Sequence, residues 1–116
     1  MNRMFVMTAA FDKQWKHMGL DDDDLRRLQQ AILQDPKVGD VIPGTGRLRK
    51  MRFALEGRGK SGSARVTYVD FLLYQTVYLI YAYPKNEKEN LTKEECNQIK
   101  KMIDAIEKAL GQEGAR

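Results

Sequence analysis

Lys50 and Arg52 stand two residues apart in the run RLRKMRFALE (47–56), and Arg65 lies at the start of the next such run, ARVTYVDFLLY (64–74). If both runs are strands, alternation puts Lys50 and Arg52 on one face and Arg47 and Arg49 on the other, with Arg65 joining the first pair where register allows. Lysine and arginine on a rigid sheet are the side chains that meet phosphate. Tyr68, Tyr78, Tyr81 and Tyr83 nearby add rings able to stack on splayed bases. Segment 44–66 holds seven basic residues (Arg47, Arg49, Lys50, Arg52, Arg58, Lys60 and Arg65) against Glu56, a local charge of +6. Each flank carries −1, so the whole excess of +4 sits in this segment, the footprint of a polyanion-binding surface.

Inside it, GRGKSG (57–62) looks like a loop that grips a nucleotide phosphate. A Walker A loop runs Gly, four residues, then Gly-Lys-Ser/Thr, and leads from a strand into a helix. Counting back from Gly59, the first position is Ala54, and the segment leads into a strand instead of a helix N-terminus. Both requirements fail. The stretch is a glycine-rich hairpin with cations on its tip and arms.

Other catalytic chemistries have little to work with. His17 is the only histidine and Cys96 the only cysteine, too few for a zinc site without several carboxylates. Cys96 falls on helical apolar spacing and reads as a small buried hydrophobe. Asp21 to Asp24 sit where a helix start favours caps and negative charge, and four adjacent positions on a helix point in different directions, which argues against a metal site. The N-terminal MNRMFVMTAAF lacks the pattern of a secretory signal and reads as a first strand. The glycosylation pattern Asn90-Leu91-Thr92 therefore carries no weight. The longest apolar runs, such as VYLIYAY (77–83), fall far short of the about 18 residues a membrane span needs. No metal, cofactor or membrane is expected, and the cytoplasm is the expected location.

These residues need a scaffold. With 116 residues, 42% apolar and 31% charged, the chain is expected to fold as one globular domain over 1–116. Residues 3–8 suit a short strand. Phe11, Trp15 and Met18 form a helical stripe ended by Gly19, and Leu25, Leu28 and Ile32 mark a second helix closed by Asp35-Pro36. VGDVIPGTG (38–46) reads as a loop. Strand-like runs follow at 47–56, 64–74 and 76–83, and Pro84 stops the last. Thr92 and Glu95 make a capping box that opens a helix with Cys96, Ile99, Ile103, Ile106 and Leu110 on one stripe. The tail 111–116 is expected to fray. The order β-α-α-β-β-β-α predicts an α+β fold: an antiparallel sheet with an N-terminal helical hairpin and a C-terminal helix.

PGTGRLRKMRFALEGRGKSGSARVTY, followed by YLIYAYPKNEKENLT, resembles the HigB-like branch of the RelE/ParE toxin superfamily. There a PGTGGLRKLR…GKGKSGGARV block and an AYxKNEKxDLT block stand in this order. Arg47 and Ser63 replace the second glycines of GTGG and SGG. The likeness covers roughly residues 5–95, helical hairpin included. It implies a RelE-like fold and the toxin of a type II toxin–antitoxin pair. Members of this branch are typically ribosome-dependent, metal-independent mRNA endonucleases that cut A-site codons and so inhibit translation. Two alternatives remain at this stage: a ParE-like toxin that acts on DNA gyrase without nuclease chemistry, and a plain nucleic-acid-binding module.

Metal-free RNA cleavage usually drives the ribose 2′-hydroxyl against its own phosphate, which needs a base, cations for the crowded phosphorane and an acid for the leaving oxygen. By the resemblance, Lys50 and Arg52 match the alternating cations of the family's second strand, Arg65 the arginine opening its third, and Lys85-Asn86-Glu87-Lys88 its last active-site stretch. The implied catalytic set is Lys50, Arg52, Arg65, Lys85 and Lys88. Lys50, crowded by Arg49, Arg52 and Arg65, is the implied base; Arg52 and Arg65 hold the phosphate; Lys85 or Lys88 assists the leaving group. RNA and ribosome contacts are expected from Arg47, Arg49, Arg58, Lys60, Tyr68 and Asn86. The implied partners are the ribosome, mRNA and a cognate antitoxin, either an acidic or a helix-turn-helix protein.

Overall fold

The computed structural model describes residues 2–55, 63–87 and 91–114. Arg58, Lys60 and Lys88 of the expected site lie outside the described residues. The elements are β1 (Met4–Met7), α1 (Ala9–His17), α2 (Asp22–Gln34), β2 (Asp40–Val41), β3 (Arg49–Ala54), β4 (Ser63–Phe71), a 3₁₀ turn (Leu72–Tyr74), β5 (Thr76–Pro84) and α3 (Lys93–Gly114). The α+β order expected from sequence is present, with one addition: β2, a two-residue strand inside the stretch read as a loop.

The five strands form one sheet in the order β1-β5-β4-β3-β2. β2 to β5 are an antiparallel meander, but β1 pairs parallel to β5, with Met4 opposite Thr76 and Met7 opposite Leu79. The helical hairpin carries the chain from one sheet edge to the other, and the meander brings β5 back alongside β1 in the same direction. A parallel pair needs such a crossover. Arg3 fixes this edge by an ion pair to Asp70 of β4 at 2.9 Å.

Local chemistry sets the helix starts. The Thr8 hydroxyl accepts from Phe11 N at 3.0 Å and caps α1. Asp21 and Asp24 form a reciprocal capping box, each carboxylate accepting from the other's backbone N–H at 2.9 Å. Two of the four consecutive aspartates are thus a helix start, and Asp23 and Asp24 pair with Arg26 and Arg27 one turn on. Thr92 and Glu95 repeat the arrangement for α3. Their bonds hold the Glu95 carboxyl below its ordinary range. α3 continues through Gly111 to Gly114, where the sequence suggested fraying. The missing side chain at Gly111 allows close approach: a Cβ there would lie 3.0 Å from the Tyr74 hydroxyl.

The sheet separates two cores. On one face, α1 and α2 bury Phe11, Trp15, Leu28 and Ile32 against Met51, Phe53, Val66, Tyr68, Val77 and Leu79. On the other, Ile99, Ile103, Ile106 and Leu110 of α3 cover Leu48, Val69, Phe71, Tyr78 and Ile80. Cys96 is buried against Pro43, as the helical spacing suggested. Gly44 and Gly46, both at φ +84°, make the turn into β3. Thr45 between them is fully buried, its hydroxyl donating to Ile42 O and accepting from Leu48 N.

β5 carries an irregularity on which the site depends. Thr67 is opposite Tyr81 and Tyr68 opposite Leu79, so Ile80 has no partner on β4. This is a one-residue bulge, which lets two successive side chains share a face. Ile80 lies in the α3 core, and Tyr81, opposite Thr67, points to the same side. The Thr8 hydroxyl donates to the Ile80 carbonyl at 2.6 Å and pins the bulge.

Candidate nucleic-acid interface

α3 covers only part of its face of the sheet. Alternation along β3 puts Lys50 and Arg52 on the same side as the buried Leu48, beyond the α3 contacts, and Met51 and Phe53 in the hairpin core. Arg52 is directly opposite Arg65 in β4, and Lys50 is opposite Thr67. Opposed residues in an antiparallel pair share a face, so three cations meet there. With Val38, Asp40 and Met51 they line a cleft of about 590 Å³. Arg52 is exposed and carries no ion pair among the described residues. Arg65 is half-buried, and its Nη1 donates to Ser63 Oγ at 2.8 Å. Among the described residues neither guanidinium meets a carboxylate, so both can take up an anion.

Across β5 the surface changes character. Arg65 is opposite Tyr83 and Thr67 opposite Tyr81. The two tyrosine rings stack at 6.1 Å and 26° and line, with Thr67, Ile80, Leu91 and Met102, an adjoining groove of about 420 Å³. A cationic strip beside an aromatic groove suits a single strand of nucleic acid, with phosphates on one side and bases on the other. Lys85 and Asn86 are exposed in the turn after Pro84 that is closed by Glu87 N donating to Pro84 O at 3.0 Å. This turn follows Tyr83 at the Arg65 end of the strand pair.

Three expected RNA-contacting residues are elsewhere. Tyr68 is fully buried in the hairpin core; its hydroxyl donates to Pro36 O at 2.9 Å and accepts from Gly39 N at 3.0 Å. Burial pushes the phenol above its usual range, partly offset by the Gly39 N–H and the Arg49 charge. It cannot stack on a base. Arg49 shares that face, and its Nη1 donates to Gly39 O at 2.6 Å. It therefore does not crowd Lys50. Arg47 pairs with Glu107 of α3 at 2.9 Å and sits 5.1 Å above the Phe71 ring, clamping the helix to the sheet. Of the tyrosines near the patch, Tyr78 packs edge-on to Phe71 beneath α3, whereas Tyr81 and the buried Tyr83 line the adjoining groove. The sequence also gave no reason to include Asp40, because the short β2 that aims it into the cleft has no strand pattern of its own.

The architecture is similar to that of a known toxin. The free state of an E. coli toxin RelE variant with two arginine-to-alanine substitutions matches at a TM-score of 0.52 and 17% identity, over 74% of this chain and 86% of that one. That likeness shows a shared fold. The family model for the RelE toxin of the RelE/RelB toxin–antitoxin system matches residues 2–113. The chain belongs to the RelE toxin family, and membership implies an antitoxin partner. No helix among the described residues is long and apolar enough to cross a membrane.

Proposed function

We propose that this toxin is a ribosome-dependent mRNA endonuclease, of the HigB-like kind, which acts in the cytoplasm and cuts codons in the ribosomal A site. The observation that carries this reading is the direct opposition of Arg52 and Arg65, next to Lys50 on the open part of the sheet, the two arginines having no carboxylate partner among the described residues. Two planar forks and an ammonium can take up the charge of a pentacovalent phosphorus, which is where such a reaction gains most of its acceleration. These cations supply that charge stabilisation from the protein itself. Tyr81, stacked on the buried Tyr83, offers a ring for a flanking base, and Lys85 and Asn86 close the Arg65 end. Lys88 belongs to the same stretch of sequence, and Arg58 and Lys60 are proposed to grip ribosomal RNA.

The test is primer extension on a defined mRNA incubated with purified protein, with and without translating ribosomes. Cuts inside codons only in the presence of ribosomes are expected. Intact mRNA in both lanes, from folded protein that still arrests growth, would refute the nuclease reading and direct attention to gyrase.

A further inference from the structure

We infer that Asp40 is the general base of this site, the group that takes the 2′-hydroxyl proton, a role that the family resemblance would give to Lys50; the inference rests on the nuclease reading above. β2 is only two residues long, yet its pairing with β3 sets Asp40 directly opposite Lys50 and Val41 opposite Arg49. Since opposed residues share a face, the carboxylate is on the side of Lys50, Arg52 and Arg65. It is the only carboxylate that lines the cleft among the described residues.

Its backbone is held from two directions. The Tyr68 hydroxyl bonds both Pro36 O and Gly39 N, and Arg49 donates to Gly39 O. Gly39 is pressed against β3 so closely that a Cβ would stand 2.9 Å from Lys50 O. A buried phenol and a half-buried arginine thus fix the residue before Asp40, the kind of support by which a reacting group is kept in place.

The chemistry favours the carboxylate. A carboxylate is ionised at neutral pH, whereas an ordinary lysine amine is protonated and cannot accept a proton. Arg49, one of the three cations on which the Lys50 assignment relied, is on the opposite face. The charged groups that line the cleft with Asp40 are Lys50 and Arg52 of β3 and Arg65 of β4. Three cations offset the repulsion between this carboxylate and the phosphate. In the step itself, the Asp40 carboxylate takes the 2′-hydroxyl proton as the 2′-oxygen bonds to the adjacent phosphorus. The bond from phosphorus to the 5′-oxygen breaks, and that oxygen leaves with the electron pair and takes a proton from water. The products are a 2′,3′-cyclic phosphate and a 5′-hydroxyl, and the Asp40 carboxyl returns its proton to solvent.

The experiment is single-turnover cleavage on programmed ribosomes from about pH 6 to pH 9 with the wild type, Asp40→Asn, Asp40→Glu and Arg65→Ala. With a carboxylate base the wild-type rate is flat over this range, since the base is already ionised. Asp40→Asn should be slower by about 10²-fold or more with ribosome binding unchanged, and Asp40→Glu should recover part of the loss. A wild-type rate that climbs about tenfold per pH unit would assign the base to an amine and overturn the inference, as would Asp40→Asn cleaving within about threefold of wild type. Should Asp40→Asn fail to fold, the wild-type profile decides alone. If the wild type cuts nothing under any condition, the nuclease reading itself fails and the inference falls with it; an active wild type with an equally active Asp40→Asn removes only the inference.

Discussion

Arg52 and Arg65 are direct partners across β3 and β4, both on the side of the sheet that faces the cleft, and neither is ion-paired among the described residues. Like charges directly opposite each other in a sheet are destabilising. The arrangement therefore favours binding an anion over stability of the free protein. Arg65→Ala should lower the cleavage rate by about 10²–10³-fold while leaving the melting temperature unchanged or raised. Arg65→Lys should not restore the rate, since an ammonium cannot reproduce the two-point contact of a guanidinium. Cleavage kinetics and thermal unfolding of the same preparations check both statements; normal cleavage by Arg65→Ala would place the site elsewhere.

Tyr68 supports the site from behind. Tyr68→Phe leaves Pro36 O and Gly39 N without their partner and should destabilise the protein by about 1–3 kcal/mol. It should also change the response to alkali. The folded protein holds the phenol proton more tightly than the unfolded chain does, so the unfolded state deprotonates first as pH rises past about 10. The contribution of Tyr68 is full below that pH and fades above it. Urea unfolding at pH 8 and at about pH 10.5 should show a fall in wild-type stability that Tyr68→Phe reduces.

Gly39 tests the loop more directly. A methyl group there meets Lys50 O at 2.9 Å and Tyr68 Cε1 at 3.0 Å. Gly39→Ala must push the loop away from β3, at about 1–3 kcal/mol in stability, and should slow cleavage because Asp40 moves with it. Chemical denaturation and single-turnover kinetics read the two effects separately.

The Arg3–Asp70 pair is nearly enclosed, with side-chain exposures of 3% and 15%. Arg3→Ala strands the aspartate in the sheet and should cost about 3–5 kcal/mol. The double variant Arg3→Met/Asp70→Leu, which removes both charges, should lose less. Equilibrium unfolding of the three proteins decides.

Much of the scaffold was legible because it follows from local rules. Phe11, Trp15 and Met18 at helical spacing, the Asp21 and Thr92 caps, and the cations two apart on β3 all kept their expected places. What escaped the sequence depends on partners far along the chain. The parallel pairing of β1 requires knowing where β5 ends up. Alternation correctly put Arg49 on the face away from Lys50, but its bond to Gly39 appears only once the 36–39 loop is folded back. Tyr68 resembled its neighbours Tyr81 and Tyr83 in sequence; only the register and the extra residue at Ile80 send one into the hairpin core and the others to the groove on the opposite side.

That extra residue has a consequence for how the protein can vary. β5 changes phase at Ile80: Val77 and Leu79 face the hairpin core before it, Ala82 after it, and Tyr81 and Tyr83 take the side that strict alternation would have denied them. Deleting Ile80 would leave Leu79, Tyr81, Ala82 and Tyr83 in simple alternation, so each would keep its face and its partner on β4, and only the α3 core would lose a side chain. Pairing the same residues without the bulge would do the opposite, turning both tyrosines towards the α1–α2 core and Ala82 away from it. The groove is thus specified by the irregular pairing at Ile80 as much as by the identity of its tyrosines.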